Sequence, residues 1–183
     1  MVLVPLLLGG LIGLARGGRV AGLAAVRFRA LGWLGAAVLA GAAIRIAPPA
    51  LAPGALVASF ALLVAFLWGN RRLPGLRWIA VGVVANGLAI LTNGAMPVSA
   101  SGAAALGGEV AAGGLRHEVA TEGSLLTALG DIIPLAPLGA VVSVGDVVMA
   151  VGLCWFVAAG LLQTHGDETW GVMGWTRKRP RRR

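Results

Sequence analysis

Five apolar runs dominate this chain, and they constrain its fold more than any motif does. They cover Met1–Ala15, Leu31–Ala47, Pro53–Gly69, Arg77–Asn93 and Val144–Leu162. Crossing a bilayer takes about 20 apolar residues, with a lower limit near 17. Four runs meet that limit. The first reaches only about 22 Å at 1.5 Å per residue, unless residues 16–18 extend it while Arg16 snorkels. Only 12% of the residues are charged and 58% are hydrophobic, against about 25% charged in a soluble domain. This balance excludes an ordinary soluble enzyme, a disordered chain and a disulfide scaffold. The lone Cys154 has no partner for an intramolecular bridge. A cleaved leader is not expected, because no basic residue precedes the first run and Arg16 and Arg19 follow it. The expected fold is an all-α integral membrane bundle of five transmembrane helices over residues 1–162, followed by a basic tail at 163–183.

The charges orient that bundle. With the N-terminus outside and the C-terminus inside, the inner pieces are 16–30, 70–77 and 163–183. They hold Arg16, Arg19, Arg27, Arg29, Arg71, Arg72, Arg77 and the six basic residues after Thr176. Only Arg45 and Arg116 fall outside. Glu109, Glu118, Glu122, Asp131 and Asp146 are outside, and Asp167 and Glu168 inside. Thirteen basic residues less two acids leave +11 inside; two less five leave −3 outside, which together make the net +8. The positive-inside rule selects this orientation, in a bacterial cytoplasmic membrane. Trp33, Trp68, Trp78, Trp170 and Trp175 all fall at inner ends, where headgroup-level tryptophan is expected; Trp155 is mid-span.

The connections are mostly short. Residues 16–30 form a basic loop or surface helix, 47–54 a Pro-rich outer turn, and Asn70-Arg71-Arg72-Leu73-Pro74-Gly75 an inner turn. Residues 94–143 form the one long outer loop. Its Ala/Gly/Ser-rich part is Ser99–Gly114; His117–Leu129 shows weak helical periodicity; Ile132–Leu138 is apolar, broken by proline and able to dip into the outer leaflet.

Several short stretches stand here in a definite order: Arg16-Gly17-Gly18-Arg19, Asn70 to Gly75, Asn93-Gly94-Ala95-Met96-Pro97-Val98, the isolated His117, Leu129-Gly130-Asp131-Ile132-Ile133-Pro134, and Ser143-Val144-Gly145-Asp146. In this order and spacing the chain resembles, over about residues 1–162, the family of small bacterial membrane proteins known as domain of unknown function 5317. The resemblance implies a multispanning membrane protein and carries no activity.

The polar residues within or beside the apolar runs are the candidates for function. Asn86 and Asn93 are seven residues apart, so they share one helix face, and buried Asn in lipid requires a partner. Arg45 lies near the outer end of the second run. It either snorkels outward or pairs with Asp131 or Asp146. Ser143-x-x-Asp146 reads as a capping box opening the last helix. Asp131 reads as a turn former. His117 with Glu118, Glu122, Asp131 and Asp146 supplies outer-face acid–base or metal-ligand types. No metal, cofactor or catalytic motif accompanies them, so a solvated loop is the default. Gly9-x-x-x-Gly13-x-x-x-Gly17 forms a small-residue ridge for close helix packing, with weaker matches at Ala36/Ala40 and Ala37/Gly41. The tail residues Arg177, Lys178, Arg179, Arg181, Arg182 and Arg183 suit anionic lipid at the cytoplasmic leaflet better than nucleic acid.

Two functional expectations follow. The first is a non-catalytic auxiliary or assembly subunit that packs against another membrane protein or itself. The second is an outer-leaflet site for a lipid or small solute, built from Asn86, Asn93, Arg45 and Asp131, with His117 beside them.

Overall fold

The computed structural model describes residues 2–44, 46, 48, 50–105, 117–135 and 139–163. Arg45, Glu109, Arg116, Trp170, Trp175 and the basic tail therefore lie outside the described residues. Each apolar run forms a helix: α1 (Leu3–Ala15), α3 (Leu31–Ala43), α4 (Ala52–Gly69), α5 (Leu76–Asn93) and α7 (Val144–Leu161). Two short helices intervene, α2 (Val20–Ala24) and α6 (Ala100–Ala105).

Three of these, α4, α5 and α7, are long and apolar enough to cross a membrane at 18 residues each. The other two apolar helices, α1 and α3, have 13 residues. That gives about 20 Å of helix, short of a bilayer's hydrocarbon thickness of about 30 Å. Five full spans are therefore not confirmed: three helices are candidate spans, and two apolar helices are shorter.

Contacts set the relative directions. In α5 and α7, Gly75 faces Gly152 and Gly82 faces Gly145, so the two helices are antiparallel. In α1 and α7, Gly9 lies against Cys154 and Gly13 against Ala158, so they are parallel. Along α3 and α4, Leu34 packs against the cluster that includes Phe66 and Leu67, whereas Gly41 approaches Ser59, consistent with an antiparallel hairpin. The Ser59 hydroxyl donates to the Ala37 carbonyl at 2.9 Å. The α5–α7 crossing is built on glycine pairs spaced seven apart on both helices. A Cβ on Gly152 would stand 2.7 Å from the Gly75 carbonyl oxygen, closer than packed atoms sit. Backbone-to-backbone approach of this kind is how helices associate where lipid removes the hydrophobic drive.

The long connection is where the all-α expectation fails. Residues 96–143 hold a four-stranded sheet in the order β2-β1-β3-β4. The strands are β1 (Met96–Val98), β2 (His117–Val119), β3 (Asp131–Leu135) and β4 (Ala140–Ser143). β1 is parallel to both β2 and β3, and β3–β4 is antiparallel. Where helical periodicity was expected at 117–129, the chain forms β2, turns and a 3-10 turn at Thr127–Leu129. Gly94, at φ +75°, ends α5 and turns the chain into β1. Pro97 and Pro134 lie within strands, where proline argues against a strand reading, and strands of three to five residues are too short to display a period of two. The sheet caps the bundle where α5 ends and α7 begins.

Two apolar clusters tie the layers together. Phe66, Leu67, Leu73, Leu76, Ala80 and Val83 pack at the end away from the sheet. Ala89, Ile90 and Met96 pack beneath it, joined by Leu56, Phe60 and Leu129. The opposite faces are bare apolar surface. Leu3, Leu7 and Leu11 form one stripe on α1, at 72%, 71% and 68% exposure. Continuous apolar surface of this kind suits lipid, not water.

Candidate functional site

The cap end gathers the sequence's polar candidates into three separate hydrogen-bonded groups. The first centres on the start of α7. Ser143 is its N-cap: the hydroxyl accepts from the Asp146 backbone N–H at 2.9 Å, and the Asp146 carboxylate accepts from the Ser143 N–H at 3.1 Å. This is the capping box that the Ser-x-x-Asp spacing predicts. Asn86, reaching across from α5, closes the group. Its Nδ2 donates to Asp146 Oδ1 at 2.8 Å and its Oδ1 accepts from the Ser143 hydroxyl at 2.8 Å. An ionised carboxylate only accepts, so the amide nitrogen must face Asp146. Ser143 is 0% exposed. Gly145 passes directly over the Asn86 carboxamide, where a Cβ would collide with Oδ1.

The second group spans the sheet. His117 pairs with Met96 on one flank of β1, and Asp131 pairs with Val98 on the other. Alternation puts both side chains on one face, with His117 Nε2 3.3 Å from Asp131 Oδ2. Asp131 is buried, at 4% exposure, and its Oδ1 has no hydrogen-bond partner among the described residues.

The third group is the Asn93 clamp. Its Oδ1 accepts from the Leu125 N–H at 2.7 Å, while its Nδ2 donates to the carbonyls of Leu125 at 2.8 Å and Ala89 at 2.7 Å. One carboxamide thus serves the backbone as a strand neighbour would, and ties the loop to the end of α5. Asn93 also lines a cavity of about 330 Å³, with Thr92, Pro97, Glu118, Thr121 and Ser124. Neither Asn86, His117, Asp131 nor Asp146 lines it. Asn86 and Asn93 share a helix face but sit about 10 Å apart along α5, at 1.5 Å per residue, and bind different elements. Asp131 has His117 beside it at 3.3 Å, and Asp146 has Asn86 and Ser143. The proposed partner Arg45 lies outside the described residues.

The glycine ridge of α1 faces α7 of the same chain at Gly9 and Gly13. Gly17 has open space around it and a φ of +85°, a turn position just past the helix. Gly22 continues the close approach instead, against the carbonyls of Gly160 and Gln163.

Sequence reasoning passed over Asn70. Only 4% exposed, it repeats the Asn93 device at the other end of the bundle. Oδ1 accepts from the Arg29 N–H at 2.7 Å, and Nδ2 donates to the carbonyls of Arg29 at 2.9 Å and Phe66 at 2.8 Å. Both Asn residues close a helix and bond the carbonyl four residues back. An Asn at the end of an apolar run was the available signal. The Gly75/Gly82 and Gly145/Gly152 spacings were equally legible and equally missed. Among the described residues, no three His, Cys, Asp or Glu side chains gather as a metal site would.

The model of a family of unknown function, DUF5317, matches residues 36–158. The chain belongs to that family. The match runs from α3 to α7 and takes in the whole sheet, while α1 and α2 precede it. An uncharacterized protein of Thermotoga maritima is 36% identical over 112 residues, covering 58% of this chain and 65% of the relative. The chain thus spans somewhat less than two thirds of the curated relative it matches. No solved structure matches.

Proposed function

We propose that this member of the family is a non-catalytic, structural subunit of a bacterial cytoplasmic membrane, with the sheet on the outer side and the C-terminus inside. One observation carries the reading: Asn86 and Asn93, the two asparagines of the cap, spend their carboxamides on other groups of the chain. Asn86 engages Ser143 and Asp146, and Asn93 engages Leu125 and Ala89. Such closure fixes a shape, as a satisfied polar network does. The orientation is supported by charge: Arg27, Arg29, Arg71 and Arg72 gather at the end away from the sheet, and basic connections stay on the cytoplasmic side. Since Gly9 and Gly13 are covered by α7, a partner helix would meet the outward apolar stripe of α1 and the exposed face of α3. Size and composition of the tagged protein, purified from its own membranes in mild detergent, test this. A stoichiometric second membrane subunit, or a dimer, is expected; a monomer that always purifies alone refutes it.

The 330 Å³ cavity favours a second reading, an outer-leaflet site for a small polar solute or lipid headgroup. Its polar lining of Glu118, Thr121 and Ser124 has the donors and acceptors such a ligand needs. Native mass spectrometry of the purified chain separates the two readings: a bound small molecule lost on Glu118→Gln supports the second.

A further inference from the structure

The end of the bundle opposite the sheet holds a second cavity, of about 120 Å³, walled by Arg27, Arg29, Arg71 and Arg72 over a floor of Asn70 and Leu73. The residues arrive from two loops that the fold holds together. The loop following α2 is anchored through its backbone, because Asn70 grips both the N–H and the carbonyl of Arg29. It is anchored again by Phe28, whose ring lies 5.8 Å from that of Phe66 and 5.7 Å from that of Phe156. Arg27 and Arg29 flank this plug. On the other wall, the Arg71 guanidinium stacks 4.9 Å over Trp68 and donates to the Trp68 carbonyl at 3.0 Å. Its orientation is set before anything binds.

This convergence runs against simple electrostatics. Like charges brought together repel; Glu118, Glu122, Asp131 and Asp146 lie at the sheet end, and Asp167 and Glu168 lie outside the described residues. A buried Asn nevertheless holds the Arg29 loop against the Arg71 turn. An anion between them turns the repulsion into attraction, and guanidinium forks match phosphate oxygens two at a time. The cavity is many times the roughly 10–15 Å³ that a single water needs. Trp33, Trp68 and Trp78 ring the same end, which puts the cavity at headgroup depth.

We propose that this arginine cavity is a binding site for a phosphate group, supplied by a phospholipid headgroup or by free phosphate. The headgroup source rests on the membrane orientation above; the free-phosphate source does not. The test follows thermal unfolding of the full chain in zwitterionic detergent by tryptophan fluorescence. One arm titrates short-chain phosphatidylglycerol against phosphatidylcholine; the other titrates inorganic phosphate against chloride at matched ionic strength. A saturable upward shift of the midpoint is expected. Each neutralised arginine near the leaflet should weaken binding about 5-fold, so Arg29→Gln loses about 5-fold and the double variant Arg27→Gln/Arg29→Gln about 25-fold. Arg29→Gln leaves intact the backbone that Asn70 holds, and Arg27→Lys/Arg29→Lys should recover most of the binding. A shift with the lipid alone assigns a headgroup; a shift with inorganic phosphate alone, lost in the double Gln variant, assigns a free phosphate. The proposal fails if neither probe gives a saturable shift. It also fails if neutralising the tail from Arg177 to Arg183 abolishes the shift while the double Gln variant keeps it.

Discussion

Asn86→Ala is the sharpest perturbation of the cap. It leaves the Ser143 hydroxyl, on a residue with no solvent exposure, without its acceptor, and removes one donor from the Asp146 carboxylate. A neutral hydrogen bond contributes about 1 kcal/mol net and one to a charged group about 1.5–3 kcal/mol. Interhelical bonds in membranes average about 0.6 kcal/mol, so two of them set a floor near 1 kcal/mol. A loss of about 2–4 kcal/mol is expected, because an abandoned buried hydroxyl costs more than an exchanged bond. The assay is unfolding by sodium dodecyl sulfate from mild-detergent micelles, followed by tryptophan fluorescence. A double-mutant cycle with Ser143→Ala isolates the direct bond, and the pair should couple by about 1 kcal/mol. Asn86→Asp should be worse than Asn86→Ala, since it sets two acids side by side. If Asn86→Ala costs under about 0.5 kcal/mol, or the two substitutions add within the roughly 0.3–0.5 kcal/mol typical of independent sites, the reading of a closed network is wrong.

Other substitutions test the remaining contacts. Gly152→Ala should destabilise by about 1–3 kcal/mol in the same assay, as overpacking does, because its Cβ meets the Gly75 carbonyl and Ile79. Gly35→Ala, with nothing within 4 Å, should be neutral or stabilise by up to about 1 kcal/mol; equal effects at the two positions would refute the glycine-paired crossing. Asn70→Ala should free the Arg29 loop at a cost of about 1–3 kcal/mol, read as faster tryptic cleavage after Arg27 and Arg29. In a Cys154→Ala background, a Ser124→Cys thiol should react with a membrane-impermeant maleimide on intact cells, and an Arg72→Cys thiol only after permeabilisation. The reverse pattern would invert the proposed orientation.

Local signals carried well from sequence to structure. Each of the five apolar runs became a helix, and Ser143-x-x-Asp146 became the capping box of α7. Both depend on neighbours within a turn or two of chain. The shared face of Asn86 and Asn93 also followed from helix geometry. Their partners did not: Asn86 finds Ser143, 57 residues away, and Asn93 finds Leu125, 32 residues away. The α1 ridge was visible as a pattern, yet its occupant, α7 of the same chain, was not.

By itself, then, the sequence determined which segments avoid water and where the charge concentrates, because hydropathy and charge add up residue by residue. The tertiary structure alone decided that α3 stops at 13 residues and that the long connection folds into a four-stranded cap. It also decided that arginines of two loops close around one cavity. Strands of three to five residues hold only by pairing with distant segments, and like charges converge only where buried contacts such as Asn70 and Phe28 draw their backbones together.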